Sequence, residues 1–219
     1  MKYYRMPVSR RIHLPTRLVK DLRAVSKLSS KNRWEYGGKA DFKIKHGQFV
    51  YKGLTYATSK ERRRIDASAL KSEWVDAPIA YHTHPGVMRE IPDDNRYTIF
   101  TTLPSAADFE AFIKGFPDMQ VNIICDAHGY YVIDIIESIK KRRLPLPHQV
   151  DIIMREVRYD DFLLKRGFGE EKCEYFHTEL LEWKVYVNDV LCPRLQALFG
   201  ISIRFYGYED TPPTAIIYA

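Results

Sequence analysis

The chain has 219 residues, of which 45% are hydrophobic and 28% are charged, and its formal net charge is +6. These proportions are those of a globular protein and exclude a disordered or fibrous chain. The length suits one domain of ordinary size, or a core domain with an extension. The positive charge permits contact with nucleic acid, anionic lipid or an acidic protein surface, and by itself selects none of them.

Cysteine usage and apolar runs set the expected compartment. Cys125, Cys173 and Cys192 are far apart and form no CxxC pair, so neither a disulfide scaffold nor a cysteine-ligated zinc site is indicated. The N-terminus lacks the apolar segment of a signal peptide, and no apolar run approaches the length of a membrane span. We therefore expect a soluble protein of the cytoplasm or another reducing intracellular compartment, without membrane contact.

Hydrophobic spacing predicts alternating helices and strands in the first two thirds of the chain. A helix is predicted over 15–29, because Leu18, Leu22 and Val25 recur at helical spacing. A second helix is predicted over 105–115. Strands are predicted over 39–45, 49–57, 78–84, 121–126 and 130–136. This order predicts an α/β fold, a mixed sheet flanked by helices.

The character of the sequence changes after Lys140. The segment 142–147, with Pro145 and Pro147, favours a linker. We therefore predict two domains, 1–143 and a mainly helical extension over 144–219 that ends in a strand. The predicted elements of the extension are a helix over about 150–164, a helix over about 171–191 that Pro193 kinks or splits, and a strand over 201–208.

Two histidines and an aspartate have the spacing of a metal site. His82 and His84 are two apart in a predicted strand, so both point to one face and can reach one cation. Alternatively, they are two exposed histidines at a strand end. Ser105 and Asp108 have the spacing of a helix capping box. The same geometry fixes the Asp108 carboxylate at the first helical turn, where it can supply a third ligand.

A catalytic zinc with three protein ligands also needs a proton acceptor. Such an ion keeps its fourth position for water and lowers the pKa of that water to about 7. Glu35 is the candidate acceptor, because it precedes Gly37 and Gly38, which allow the backbone to pass close to other elements. Taken alone, Glu35 is interpreted as an ordinary exposed acid.

In combination, these motifs resemble a known signature. Glu35-Tyr36-Gly37-Gly38, His82-Thr83-His84-Pro85 and Pro104-Ser105-Ala106-Ala107-Asp108 are similar, in order and type, to the JAMM motif of the JAB/MPN zinc metallopeptidases. The resemblance covers roughly residues 15–136. It implies a cytidine-deaminase-like JAB/MPN core, a mixed sheet flanked by helices.

The resemblance also implies a role for each motif residue. His82, His84 and Asp108 would bind one zinc ion per chain. Glu35 would accept the proton of the zinc-bound water, and the Ser105 hydroxyl would stabilise the oxyanion of the tetrahedral intermediate. The usual substrate of the family is the isopeptide bond between a ubiquitin-like C-terminus and a lysine. The leading expectation is therefore a zinc-dependent isopeptidase or processing peptidase with a protein substrate.

The spacing of the motif departs from the familiar deubiquitinating members. The twenty residues from Pro85 to Pro104 separate His84 from Ser105, which is a longer gap. A loop can leave and return to the same edge, so the ligands stay in place, but a substrate inferred from those members is in doubt. We expect 86–104 to be a surface loop that flanks the metal cleft and forms one wall of a substrate channel.

Two other functions remain open. Many MPN domains have lost their ligands and serve only in assembly; this chain keeps all five signature residues, but the helical extension would suit an assembly partner. A nucleic-acid-associated role rests only on the basic runs, and salt-dependent binding would support it. These runs are Arg10-Arg11, Arg62-Arg63-Arg64 and Lys140-Lys141-Arg142-Arg143.

Overall fold

The computed structural model of the chain describes residues 9–46, 48–58, 60, 78–85, 98–101, 103–135, 148–149, 152 and 176–218. Its strands are β1 (Ser9–His13), β2 (Gly37–Lys45), β3 (Gln48–Leu54), β4 (Ile79–Thr83), β5 (Thr98–Thr101), β6 (Val121–Cys125), β7 (Gly129–Ile135), β8 (Phe176–Glu179), β9 (Ile201–Gly207) and β10 (Thr214–Tyr218). Its helices are α1 (Thr16–Asn32), α2 (Ala106–Gly115), α3 (Leu180–Val185), a π-helical turn (Tyr186–Leu191) and α4 (Cys192–Phe199). None of the helices in the described residues has the length and apolar character that a membrane crossing requires.

A six-stranded mixed sheet in the order β3-β2-β4-β6-β7-β9 forms the centre of the fold. Strands β4 and β6 are parallel, and the other neighbours are antiparallel. Two small antiparallel sheets, β1-β10 and β5-β8, complete the described strands. The α/β class predicted from the sequence is therefore confirmed.

Both faces of the central sheet are covered by apolar side chains. On one face, α1 buries Leu18, Leu22 and other residues against the sheet together with residues of β1 and β10. On the other face, α2 and the helical segment 180–199 form a second cluster. Neighbouring residues of β6 illustrate the alternation, since Ile123 packs in the first cluster and Ile124 in the second.

The sequence identified the helices and strands that build the first part of the sheet, but it missed four strands. The predicted elements over 15–136 agree in kind with α1, β2, β3, β4, α2, β6 and β7. Strands β1, β5, β8 and β10 were not predicted. The prediction that 86–104 is a loop is wrong for 98–101, because these residues form β5 and pair with β8; residues 86–97 lie outside the described part of the chain.

The C-terminal residues complete the sheet instead of extending from it. Strand β9 pairs with β7 along its whole length, and β10 pairs with β1 near the N-terminus. The strand predicted over 201–208 is therefore confirmed as β9, and the pairing with β7 makes it part of the central sheet. The predicted linker over 142–147 lies outside the described residues, and so does the predicted helix over 150–164 apart from Ile152.

The predicted helix over 171–191 is also corrected in its described part. Residues Phe176–Glu179 form a strand, and the helix begins at Leu180 and continues to Phe199. Pro193, which was predicted to kink or split the helix, lies at the start of α4, just after the π-helical turn. Proline has no N–H to donate, and here it falls where the hydrogen-bond pattern changes from i→i+5 to i→i+4.

Gly38 allows the backbone of β2 to approach the segment after β3. A Cβ atom at position 38 would lie 2.0 Å from the backbone oxygen of Thr55. The expectation of a close backbone approach at the Gly37-Gly38 step is therefore confirmed for Gly38.

We expect Gly38→Ala to lower the free energy of unfolding by on the order of 1–3 kcal/mol, the usual cost of overpacking. The matched control is Gly53→Ala in β3, where a Cβ would meet no atom within 4 Å. Chemical denaturation of the two variants measures the difference. Equal stabilities would show that the Thr55 backbone does not restrict position 38.

Candidate metal centre

Three side chains from separate elements meet at the end of β4. His82 is the fourth residue of β4, His84 follows the strand, and Asp108 lies in the first turn of α2. His82 is buried, with 7% of its surface exposed, and the other two are partly buried. One ligand atom from each of the three residues lies within 4.8 Å of the other two, so the group could hold a metal ion.

The distances within the group suit a small four-coordinate cation. His82 Nε2 lies 3.3 Å from His84 Nε2. Asp108 Oδ1 lies 3.0 Å from His82 Nε2, and Oδ2 lies 3.5 Å from His84 Nε2. Ligands about 2.0–2.1 Å from a tetrahedral zinc ion are roughly 3.3–3.4 Å apart. The donor atoms are thus already close to the spacing that such an ion requires.

The electrostatics of the group favour a positive charge. Burial alone would lower the pKa of His84, but the hydrogen bond and charge of Asp108, with the charges of Glu35 and Asp126, raise it. Burial would likewise raise the pKa of Asp108, but the charge and hydrogen bond of His82, with those of His84, hold it well below its usual range. Each shift stabilises the ionised form of its residue. Three carboxylates around two imidazoles are well suited to a cation.

The pairing of β2 with β4 brings the segment before β2 beside β4. In the antiparallel register, Gly37 lies opposite His82, and the Thr83 N–H donates to the Tyr36 carbonyl over 2.8 Å. Glu35 precedes β2 by two residues, and its carbonyl accepts from the Thr58 hydroxyl over 2.6 Å. The charge of Glu35 is among the causes that raise the pKa of His84.

Thr83, between the two histidines, points to the opposite face and holds α1. Its hydroxyl donates to Ser29 Oγ over 2.8 Å and accepts from the Tyr36 N–H over 2.9 Å. The Ser29 hydroxyl in turn donates to the Trp34 carbonyl over 2.6 Å. This buried chain of hydroxyl groups ties α1, the segment before Gly37 and β4 together behind the metal site.

Ser105 fixes the side chain of Asp108. The Ser105 N–H and hydroxyl both donate to Asp108 Oδ2, over 2.6 and 2.8 Å, and the Asp108 N–H donates back to Ser105 Oγ over 3.3 Å. The predicted capping box is therefore present. The same hydrogen bonds direct the Asp108 carboxylate toward the histidines.

The sequence reasoning missed Asp126, which directly follows β6. This carboxylate is 3% exposed, and it accepts hydrogen bonds from the N–H groups of His128 and Gly129. An aspartate before a tight turn is a recognisable turn signal, but its position beside His84 depends on the pairing of β4 with β6, which the sequence does not show.

The structure brings the three predicted ligands together. His82, His84 and Asp108 form the cluster, and Ser105 binds Asp108. Glu35 lies outside the cluster, two residues before β2, and its charge acts on His84. In comparisons with known proteins, no family model matches the chain, and no curated protein matches it either.

We expect the purified protein to bind one equivalent of metal at this group. His82→Ala combined with His84→Ala should abolish binding, because one carboxylate cannot hold the ion alone. His46→Ala, in the exposed turn between β2 and β3, is the control and should keep the full equivalent. Elemental analysis after dialysis measures the content, and an unchanged value in the double variant would place the metal elsewhere.

Proposed function

We propose that the protein is a JAMM-type zinc isopeptidase that releases ubiquitin or a ubiquitin-like protein from lysine. The observation that carries the proposal is the cluster of His82, His84 and Asp108 at the end of β4. Their donors lie 3.0 to 3.5 Å apart, Ser105 binds Asp108, and the charge of Glu35 acts on His84. The order of the motifs along the chain and the mixed sheet are what a JAB/MPN core requires.

The donor set supports zinc as the metal. Two imidazole nitrogens and one carboxylate oxygen are ordinary zinc ligands, whereas calcium and magnesium prefer sites made of oxygen atoms. Non-haem iron can use the same donors, so elemental analysis has to name the ion. When bound, zinc would polarise a carbonyl group and bring the pKa of a water molecule near 7.

The proposed roles of the other residues follow from their positions. The Glu35 carboxylate accepts a proton from the attacking water and delivers it to the leaving lysine amine. The Ser105 hydroxyl, which bonds Asp108 over 2.8 Å, can rotate about its C–O bond and donate to the developing oxyanion. Asp108 and the two histidines hold the cation.

Strand β5 offers a way to bind an extended substrate. It lies at the end of the long segment between the two ligand motifs, and its one described partner strand is β8. A flexible C-terminal tail can add to the edge of a sheet by backbone hydrogen bonds. We propose that the tail of a ubiquitin-like protein binds along β5 on its way to the metal site.

A scaffold role without turnover is the second candidate. The observation that favours it is a set of exposed apolar residues on the helical segment 180–199. Leu181 is 70% exposed, and Val185, Val190 and Leu198 are 46%, 48% and 51% exposed. An assembly partner could cover them. Both roles can coexist in one chain.

Glu35→Gln separates the two candidates. We expect the variant to keep its fold and its metal but to release a ubiquitin-like protein from a lysine-linked substrate at least about 100-fold more slowly, the usual loss when a general base is removed. Glu110→Gln, on the exposed side of α2 where Glu110 pairs with Lys114, is the control and should be fully active. Single-turnover cleavage assays measure both.

Two other outcomes would contradict these assignments. Loss of metal from Glu35→Gln would make Glu35 a ligand instead of the base. A wild-type protein that holds zinc but cleaves no lysine-linked substrate would favour the scaffold.

A further inference from the structure

We propose that Thr101 and Asp126 are positioning residues of the metal centre, because their buried hydrogen bond sets where Asp108 lies relative to the histidines. The proposal rests on the metal site of the proposed function and does not require the site to be a peptidase. Neither residue belongs to the motif that the sequence displays.

Asp126 is attached to the strand that holds His84. The His84 N–H donates to the Cys125 carbonyl over 2.7 Å, and Thr83 is paired with Cys125 in the parallel register of β4 and β6. The next pair in this register is His84 with Asp126. Asp126 therefore lies beside the second histidine on the metal-site face, in agreement with the effect of its charge on His84.

Asp126 is itself held rigidly. Its Oδ1 accepts from the N–H groups of His128 and Gly129 over 2.7 and 2.8 Å. Its carbonyl accepts from the hydroxyl groups of Ser26 and Tyr208 over 2.5 and 2.8 Å. These bonds fix Asp126 to the β6–β7 turn, to α1 and to the segment after β9. Asp126 is therefore a rigidly placed acceptor for the Thr101 hydroxyl.

Thr101 connects Asp126 with the segment that leads to Ser105 and Asp108. It is 1% exposed, and its hydroxyl donates to Asp126 Oδ2. The same hydroxyl lies 3.1 Å from Tyr131 Oη, which accepts from Trp183 Nε1 over 2.8 Å. Four residues later Ser105 begins the capping box that directs Asp108. Because Thr101 is held by Asp126 and lies only four residues before Ser105, the position of Asp126 limits where Asp108 can lie.

Chain connectivity alone cannot do this. Twenty residues separate His84 from Ser105, and a chain connection of that length does not by itself fix the distance between the two residues. Metal affinity nevertheless requires donor distances within about 0.2 Å of their ideal values. Packing of Phe109, Phe112 and Ile113 holds α2 on the sheet, and the hydrogen bond from Thr101 to Asp126 adds a constraint just before the helix.

Removing the hydroxyl tests the proposal. Thr101→Val keeps the size and β-branching of the side chain and removes the hydrogen bond, and we expect it to weaken zinc binding by the metal-free protein about 10–100-fold, the usual effect of losing a group that supports a ligand. Thr101→Ser restores the hydroxyl and should restore the affinity. Thr178→Val is the matched control, because Thr178 is also buried, at 6% exposure, and its hydroxyl makes no hydrogen bond within the described structure. Competition with a chromophoric chelator measures the zinc affinity.

A second variant separates the hydrogen bond from the charge of Asp126. Asp126→Asn removes the charge but can keep the connection, because its amide can donate to the Thr101 hydroxyl. We expect Asp126→Asn to bind zinc with an affinity within about threefold of wild type.

The visible spectrum of bound Co²⁺ reports the geometry of the ligands. We expect it to change in Thr101→Val but not in Thr178→Val.

The outcomes are distinguishable from those of the proposed function. Wild-type zinc affinity in a folded Thr101→Val would overturn the proposal and leave the peptidase intact, as would equal losses in Thr101→Val and Thr178→Val. A large loss of affinity in a folded Asp126→Asn would also overturn it, since charge would then be the cause. A protein that binds zinc as expected but cleaves nothing would refute the peptidase alone. Absence of zinc binding by the wild type would overturn both.

Discussion

The pairing of β2 with β4 is the constraint on which the candidate site depends. The register sets Gly37 opposite His82, two residues after Glu35. Side chains alternate along a strand, so a slip of one residue would shift the segment that carries Glu35 relative to the two histidines. The hydrogen bonds between Tyr36 and Thr83 prevent that slip, since the Thr83 side chain is also engaged with Ser29 of α1. Thr83, between the two histidines, thus holds β4 against α1 and the segment before β2.

The contacts of the site between residues close in sequence were predicted, and those between residues far apart in sequence were not. His82 and His84 share a face because of strand periodicity, and Ser105 fixes Asp108 within one helical turn; both relations can be inferred from spacing. The place of Glu35 followed from resemblance to a known motif, and its physical basis is the β2–β4 register. Asp126 and Thr101 are 25 residues apart in sequence, and no local pattern indicates that they meet.

The errors in the fold have the same cause. Strand β5 consists of Thr98–Thr101, which is too short for its periodicity to be distinctive, and its partner β8 lies more than seventy residues later. Strands β1 and β10 join the two ends of the described chain. Helix α3 and the π-helical turn were predicted as helix, but their role was not, because the burial of Trp183 and Val187 depends on β7 and β9 beneath them. The C-terminal segment is therefore needed to cover the sheet face on which the metal ligands lie.

Capping of α2 and metal binding make use of the same carboxylate. Asp108 Oδ2 accepts from the Ser105 N–H and hydroxyl. Without this carboxylate, these donors at the start of the helix would lose their partner. The same group is drawn toward His82 and His84. A cation between these residues would satisfy the imidazoles without displacing the hydrogen bond from the Ser105 N–H, because a carboxylate has lone pairs for both. Ligand binding that is specific to the folded state raises its stability. The start of α2 is therefore the element whose stability should be coupled most closely to the metal.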